Sequence, residues 1–400
     1  MTDTVQPVHA TRSHRPRRVF VLGATGTIGR ATVRALVERG HEVVCFVRPG
    51  GGATRAPNNV RDHSRDSART IAGAVVRFGD VRDPASLARD GFQGERFDVL
   101  VSCMASRTGA PKDAWAIDHQ AHVHALAAAR EAGVSHVVLL SAICVQKPVL
   151  AFQYAKLAFE GALIESDVTY SIVRATAFFK SLSGQIERVR NGKPFLVFGN
   201  GTLTSCKPIS DDDLGAYLAD CLDDGNRHNR ILTIGGPGPA ITPRQQGEHL
   251  CTLLGKPPKF TRVPVAMLDA IIGVLGTLGR IIPVLADKAE LARIGRYYAT
   301  ESMLVWDPVR ERYDADATPS TGTETLFDYY AMLVREGDGP ERGDHAVFCA
   351  GCDDFSGAVM EIALTLAPRI DTQRLDNILQ LNIFSVTLHQ AESDGRQYQK

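Results

Sequence analysis

Two short stretches of this chain carry residues whose types and spacing could do chemistry. In VLGATGTIGR, Gly23, Gly26 and Gly29 recur at three-residue intervals, with Thr25, Thr27 and Ile28 between them. In FQYAKLAFE, Lys156 stands one helical turn before Glu160. A glycine triplet between an apolar run and a helical pattern makes a phosphate cradle. The first glycine permits the tight bend, the second lets backbone approach a pyrophosphate, and the third lets the helix pack close on the strand. Phosphates then sit at the helix N-terminus, where unpaired N–H groups and the helix dipole favour negative charge. The bland alternative for the triplet is a ligand-free turn. For Lys156 and Glu160 it is a surface i, i+4 ion pair.

The elements needed to position these residues can be read around them. Val19 to Leu22 is a strand, Ala31 to Gly40 has helical periodicity, and the triplet lies between, as a dinucleotide-binding turn requires. The second strand, Glu42 to Val47, ends at Arg48. An acid at that tip accepts from a ribose 2′-OH, whereas an arginine accommodates a 2′-phosphate. Arg48 therefore points to NADPH, with Arg55 and Arg61 as helpers, against the alternative of a solvent-exposed loop arginine. Pro49 to Gly73, with Gly50 to Gly52, reads as a long polar loop. Further strands are expected at Ala74 to Phe78, leading to Asp80 and Val81, and at Val99 to Cys103, with the outlet Met104 to Ser106. Val137 to Leu140 delivers Ser141, and Tyr170 to Val173 follows. Helices are expected at Trp115 to Ala132 and Phe152 to Glu165. Alternation of strand and helix over this length argues an α/β fold with a doubly wound parallel Rossmann sheet.

Beyond it, Phe195 to Phe198 and Asn200 to Leu203 suggest a hairpin around Gly199 and Gly201. Ser210 caps a helix beginning with three aspartates, Ile231 to Ile234 is a strand, and Thr242 caps a helix over Pro243 to Leu254. Val263 to Ala286 is the most apolar stretch, but Asp269, Arg280 and Pro283 argue against a membrane span. Two short helices forming an apolar lid, or a face that meets a bilayer or greasy ligand, are expected there. The organisation expected is a disordered basic tail over 1–17, an NADPH-binding domain over 18–195, a smaller, mainly helical substrate-binding region over 196–335, and a linker and extension over 336–400.

Forty-five basic residues against 45 acidic ones give no bulk electrostatic case for nucleic acid. Eight scattered cysteines with no signal peptide fit a reduced, cytoplasmic setting without disulfides. The lone Cys349–Cys352 pair has no second pair to complete a zinc site, and His119, His122 and His124 read as surface or packing histidines, so no metal is expected.

The glycine turn resembles that of extended short-chain dehydrogenases and their atypical relatives. In those enzymes a tyrosine four residues before the lysine supplies the acid for carbonyl chemistry; here that residue is Phe152, and Tyr154 faces elsewhere on the helix. The resemblance implies that Asp80 contacts the adenine edge, that the Met104 to Ser106 outlet passes near the nicotinamide ribose, and that Lys156 sits at the catalytic point beyond Ser141. A hydride acceptor needing no neighbouring phenol is a conjugated C=C bond. Together, VLGATGTIGR, FQYAKLAFE, YYATESMLVWDP (Tyr297 to Pro308) and YDADATPSTGTETLFDYY (Tyr313 to Tyr330) resemble the NADPH-dependent divinyl chlorophyllide a 8-vinyl reductases, over roughly Arg17 to Leu333. That resemblance implies a divinyl tetrapyrrole substrate, reduction of its C8 vinyl group in chlorophyll or bacteriochlorophyll synthesis, and a soluble enzyme touching the membrane peripherally. Oligomeric state is left open. The Cys349 to Lys400 extension and the Pro49 to Gly73 loop depart from the family pattern. The other readings are an atypical reductase of phenylpropanoid or quinone substrates, and a non-catalytic NADP-binding sensor or assembly subunit.

Overall fold

In a computed structural model, residues 15–49, 70, 71, 73–280 and 283–337 are described. The basic tail up to residue 14, Gly50–Gly52, Arg55, Arg61 and the whole 349–400 extension lie outside them.

The apolar runs expected as strands form one sheet. Its members are β1 (Arg18–Leu22), β2 (Glu42–Val47), β3 (Thr70–Ile71), β4 (Ala74–Phe78), β5 (Val99–Ser102), β6 (His136–Ala142), β7 (Thr169–Ala175) and β9 (Arg230–Ile234). Their order is β3-β4-β2-β1-β5-β6-β7-β9. All neighbours are parallel except β3 and β4. Strands buried on both faces read as continuous apolar runs, and β1 shows why. Val19 and Val21 enter one core with Leu36 of α1 (Thr27–Glu38) and with Leu214 and Leu218 of α4 (Asp211–Asp220). Phe20 and Leu22 enter the opposite core with Ala125 of α2 (His122–Glu131) and with Phe159 and Leu163 of α3 (Ala151–Ile164). The order reverses between β1 and β5, and that switch point is where an open α/β sheet leaves a crevice at its strand ends.

Local signals place several boundaries. Ser210 accepts from the Asp213 N–H at 3.0 Å and starts α4. Thr242 and Gln245 form a capping box at α5 (Pro243–Leu253). The close crossing of α1 and α4 depends on Gly215, where a Cβ would lie 2.7 Å from the Ala31 carbonyl carbon.

Three expectations need correction. The expected hairpin over 195–203 is absent: β8 (Phe195–Phe198) pairs in parallel with β10 (Phe260–Val263). Asn200 instead folds into a side-chain turn, accepting from the Thr202 N–H and hydroxyl. The end of the expected 49–73 loop is strand β3, joined to β4 through Gly73 at φ +84°. The apolar stretch forms α6 (Val265–Gly279) and then α7 (Pro283–Thr300), which is 18 residues long rather than short. Only Leu268 of α6 is buried; Val274 and Leu278 are exposed. The sheet also draws β9 and its covering helix α4 from beyond residue 195.

Past α7, β11 (Val305–Asp307) and β12 (Arg312–Asp314) form a small antiparallel pair, and α8 (Leu326–Glu336) follows. Tyr330 of α8 is wholly buried and its hydroxyl donates to the Leu182 carbonyl at 2.6 Å. Tyr330→Phe, which leaves that carbonyl without its donor, should lower unfolding free energy by about 1–2 kcal/mol, and Tyr330→Ala by about 3–5 kcal/mol. Urea titration checks both values.

Candidate active site

The glycine turn leaves β1 at Gly23, with φ +78°. A Cβ there would lie 2.6 Å from both the Cys103 carbonyl carbon and the Met104 nitrogen, so the turn rests directly on the outlet of β5. A Cβ on Gly29 would sit 2.1 Å from the Gly23 carbonyl oxygen, which brings α1 against the turn. Gly26 is the N-cap of α1 and provides no side-chain cap, and the first turn holds no acidic residue. Thr27 and Ile28 open α1, with Ile28 packed on the first core. The result is a backbone cradle with a positive helix end and no competing carboxylate on that turn, which fits a pyrophosphate.

A cleft runs outward from this cradle. Its lining includes Gly23, Thr25 and Gly26, then Arg48 at the tip of β2, Gly79 and Val81 after β4, and Met104 and Ala105 after β5. Asp80, between Gly79 and Val81, is engaged by a neighbouring arginine. Its carboxylate takes the Arg82 guanidinium at 2.7–3.2 Å and the Arg82 N–H at 3.0 Å, and these bonds hold it below the usual carboxylate range, with a smaller contribution from the charge of Arg48. Phe46, Arg107, Asp113 and Ile117 also line the cleft and were not legible beforehand. Asp113 shapes the loop by accepting from the Thr108 N–H and hydroxyl at 3.0 and 2.9 Å.

Lys156 is not paired with Glu160. Its Nζ lies 3.0 Å from Oδ1 of Asp118, with the lysine side chain 12% exposed and that of the aspartate 0%. The same Oδ1 accepts from the Ser106 N–H at 3.2 Å, which ties the β5 outlet to the lysine. Glu160 is buried and faces the other way: it accepts from the Ser141 hydroxyl at 2.5 Å and from the Arg174 guanidinium of β7. The surface i, i+4 bridge is therefore excluded, and the Ser141 hydroxyl is directed at Glu160. Phe152 is buried in a third core with Ile143, Ile294 and Tyr297, while half-exposed Tyr154 donates its hydroxyl to the Pro148 carbonyl at 3.0 Å.

Of the three helix histidines, His119 stacks edge-on with Trp115 and His124 bonds Gln120. His122 is different. Its Nδ1 lies 2.8 Å from the Ile117 carbonyl, which can only accept, so the proton sits on Nδ1 and Nε2 accepts from the Ser102 hydroxyl at 2.8 Å. Burial, reinforced by the charge of Lys156, lowers its pKa to about 4. Among the described residues, no group of three or more His, Cys, Asp or Glu side chains converges as a metal site would.

Residues 23–225 match the family model for NAD(P)H-binding domains. A divinyl chlorophyllide a 8-vinyl-reductase, chloroplastic, of Oryza sativa subsp. indica is 47% identical over 362 residues, covering 87% of this chain and 88% of the relative. Its counterpart in Arabidopsis thaliana is 46% identical over 349 residues, covering 84% and 82%. The chain belongs to the divinyl chlorophyllide a 8-vinyl-reductase family. Among solved structures, that of isoflavone reductase shares the fold at 19% identity and a TM-score of 0.54, over 80% of this chain and 100% of that one.

Within this family member, the first of the two C-terminal motifs holds the approach to the lysine helix. The Tyr297 hydroxyl lies 3.0 Å from the Cys144 carbonyl and 3.1 Å from that of Lys147. Lys147 pairs with Glu301 at 2.8 Å and lies over the Trp306 ring. Gln146 donates to the Leu304 carbonyl and accepts from the Trp306 N–H. The loop between β6 and α3 is thus gripped by residues 297–306, a long-range contact that no local pattern announces.

The histidine beside the site gives a pH signature. An unfolded His122 binds a proton below about 6.5, whereas the folded one resists until about 4. Stability from this group is therefore complete above pH 6.5 and falls as the pH drops toward 4, by on the order of 3 kcal/mol. His136, lowered to about 3 chiefly by burial, acts in the same direction. Urea midpoints measured across pH 4–7 should decline on acidification, and His122→Asn should flatten part of the slope.

Proposed function

We propose that this chain reduces the C8 vinyl group of a divinyl chlorophyllide or protochlorophyllide to ethyl, with NADPH as donor, in chlorophyll or bacteriochlorophyll synthesis. The observation that carries the reading is a buried, ion-paired Lys156 whose helix has Phe152 in place of a phenol. That arrangement suits a hydride acceptor whose charge is taken up by conjugation rather than by a neighbouring acid. The overall change is vinyl plus NADPH plus a proton to ethyl plus NADP⁺.

The chain's own residues divide the work. The N–H groups in the first turn of α1 would hold the pyrophosphate, and Arg48 the 2′-phosphate. Gly79, Asp80 and Val81 would border the adenine, the first and last through the cleft wall. NADPH held there would supply a hydride for the terminal vinyl carbon. The electron pair left behind spreads into the macrocycle, and the adjacent carbon then takes a proton. Lys156 orients the nicotinamide ribose and relays that proton, and Ser141 supports it through the shared helix, by way of Glu160. We further read cofactor binding as the work of the sheet and the helices that cover it, α4 and β9 included, and substrate binding as that of the rest of 196–335. Among the described residues no helix is long and apolar enough to cross a membrane. The apolar outer side of α6 would meet the pigment or the bilayer that delivers it.

Incubating the protein with NADPH and divinyl chlorophyllide should produce a blue shift of the Soret band as one vinyl leaves conjugation. An unshifted band with NADPH bound would favour a non-catalytic NADP-binding subunit, and activity confined to phenylpropanoids or quinones a different reductase. Lys156→Met should abolish turnover while NADPH affinity stays near wild type; near-normal turnover would sink the assignment. Arg48→Ala should weaken NADPH binding by roughly tenfold to a hundredfold, the loss of a charge-assisted phosphate contact, and leave NADH binding little changed. Parallel fluorescence titrations of the two nucleotides check this.

A further inference from the structure

Asp118 belongs to no motif, yet it occupies the position on which the lysine depends. It lies in Trp115–Ala121, a π-helical interruption between Pro111–Ala114 and α2. Such interruptions are rare and concentrate at functional sites. Its side chain is fully buried, and one oxygen, Oδ1, serves both Lys156 Nζ at 3.0 Å and the Ser106 N–H at 3.2 Å. The other, Oδ2, is buried with no hydrogen-bond partner. A buried carboxylate with an unsatisfied oxygen is costly, so its charge is supported chiefly by the ammonium beside it.

The groups around the pair do not share this role. His122, four residues on, is neutral, with both ring nitrogens engaged by Ile117 and Ser102. The Cys144 thiol, which feels the charge of Lys156, is held protonated by burial. Glu160, on the lysine's own helix, is taken by Arg174 and Ser141. Tyr154 on that helix bonds outward to Pro148.

We propose that Asp118 is the positioning residue of the reaction. It pairs with the Lys156 amine inside the protein and fixes it against the Met104–Ser106 outlet of β5. This rests on the vinyl-reductase reading for its assay. The charge of Asp118 makes the ammonium available to a ribose hydroxyl and to the developing carbanion, while its contact with Ser106 sets where that ammonium stands relative to the cofactor cleft.

Asp118→Asn keeps the shape and an acceptor for the Ser106 N–H while deleting the charge. Its kcat should fall by about tenfold or more, and the alkaline limb of its pH–kcat profile should move at least about one unit toward acid, since an ammonium without its counter-charge loses its proton more readily. Its Kd for NADPH should stay within about threefold of wild type, the loop anchor being intact. Asp118→Glu, which retains the charge, should hold the limb in place even with reduced turnover. A limb unmoved in Asp118→Asn, whatever its Tm, or moved equally in both variants, overturns the proposal. Should Asp118→Asn fail to fold, Asp118→Asn/Lys156→Met decides: removing both charges should restore folding, and a double variant as unstable as the single one counts against the pairing. Wild-type protein assayed alongside separates the questions, because absent wild-type turnover speaks against the function while the comparison of single and double variants still tests the pair.

Discussion

An ammonium brought into the interior of a protein needs a carboxylate beside it, and that requirement organises the centre of this structure. Helix α3 carries a lysine and a glutamate one turn apart, close enough to neutralise each other on a surface. Here both are drawn inward, and each takes a partner from a different element: Lys156 from the π-helical segment, Glu160 from β7. An isolated helix could satisfy the two charges by itself; a helix whose charges are answered from two sides has its rotation fixed. Desolvation of ions is expensive and their mutual attraction repays it only with good geometry. The pairs therefore add less to overall stability than to defining where α3 sits.

The glycine turn meets a different constraint, that of distance. Gly23 and Gly29 are required because backbone occupies the space a Cβ would need, from Cys103 and Met104 in one case and from Gly23 itself in the other. Pressing β1, α1 and the β5 outlet together in this way makes one rigid corner. That corner also carries Ser106, whose N–H reaches Asp118. The glycine turn and the support of the lysine are thus joined through two residues of backbone beyond Met104, which links the geometry of the one to that of the other.

How much of this could be read from the chain follows from the range of each interaction. The strands β1, β2, β5 and β6 are legible because burial on both faces leaves a continuous apolar run, β4 and β7 from shorter runs of β-branched residues, and the caps at Ser210 and Thr242 because a cap is a local bond. The pairing of β8 with β10 was not, since two helices and a strand intervene and the tempting local alternative, a glycine-rich hairpin, looked complete. At the site, the glycines and Arg48 could be named because turn and strand tip are defined by neighbours in sequence. Asp118 could not: a lone aspartate in a helix has no local mark distinguishing a buried counter-ion from a solvated charge, and its inward placement depends on an interruption in helical hydrogen bonding.

The first C-terminal motif, Tyr297 to Pro308, has a physical role in the structure. Residues 143–150, a short 3-10 turn over Ile143–Gln146 and the connection after it, lead directly into α3, and a connection of this kind is ordinarily more mobile than the elements it joins. Here the Tyr297 hydroxyl lies within hydrogen-bonding reach of two of its carbonyls, Gln146 is bonded at both ends of its amide, and Lys147 sits between Glu301 and the Trp306 ring. Gln153, at the first turn of α3, closes the same loop from the other side by accepting from the Val149 and Leu150 N–H groups and donating to the Cys144 carbonyl. The lysine helix is therefore held at its start by the C-terminal part and along its length by buried charge. A change in residues 297–306 would reach Lys156 through this loop without touching the cleft at the glycine turn, so the C-terminal part can bear on the lysine helix from a distance.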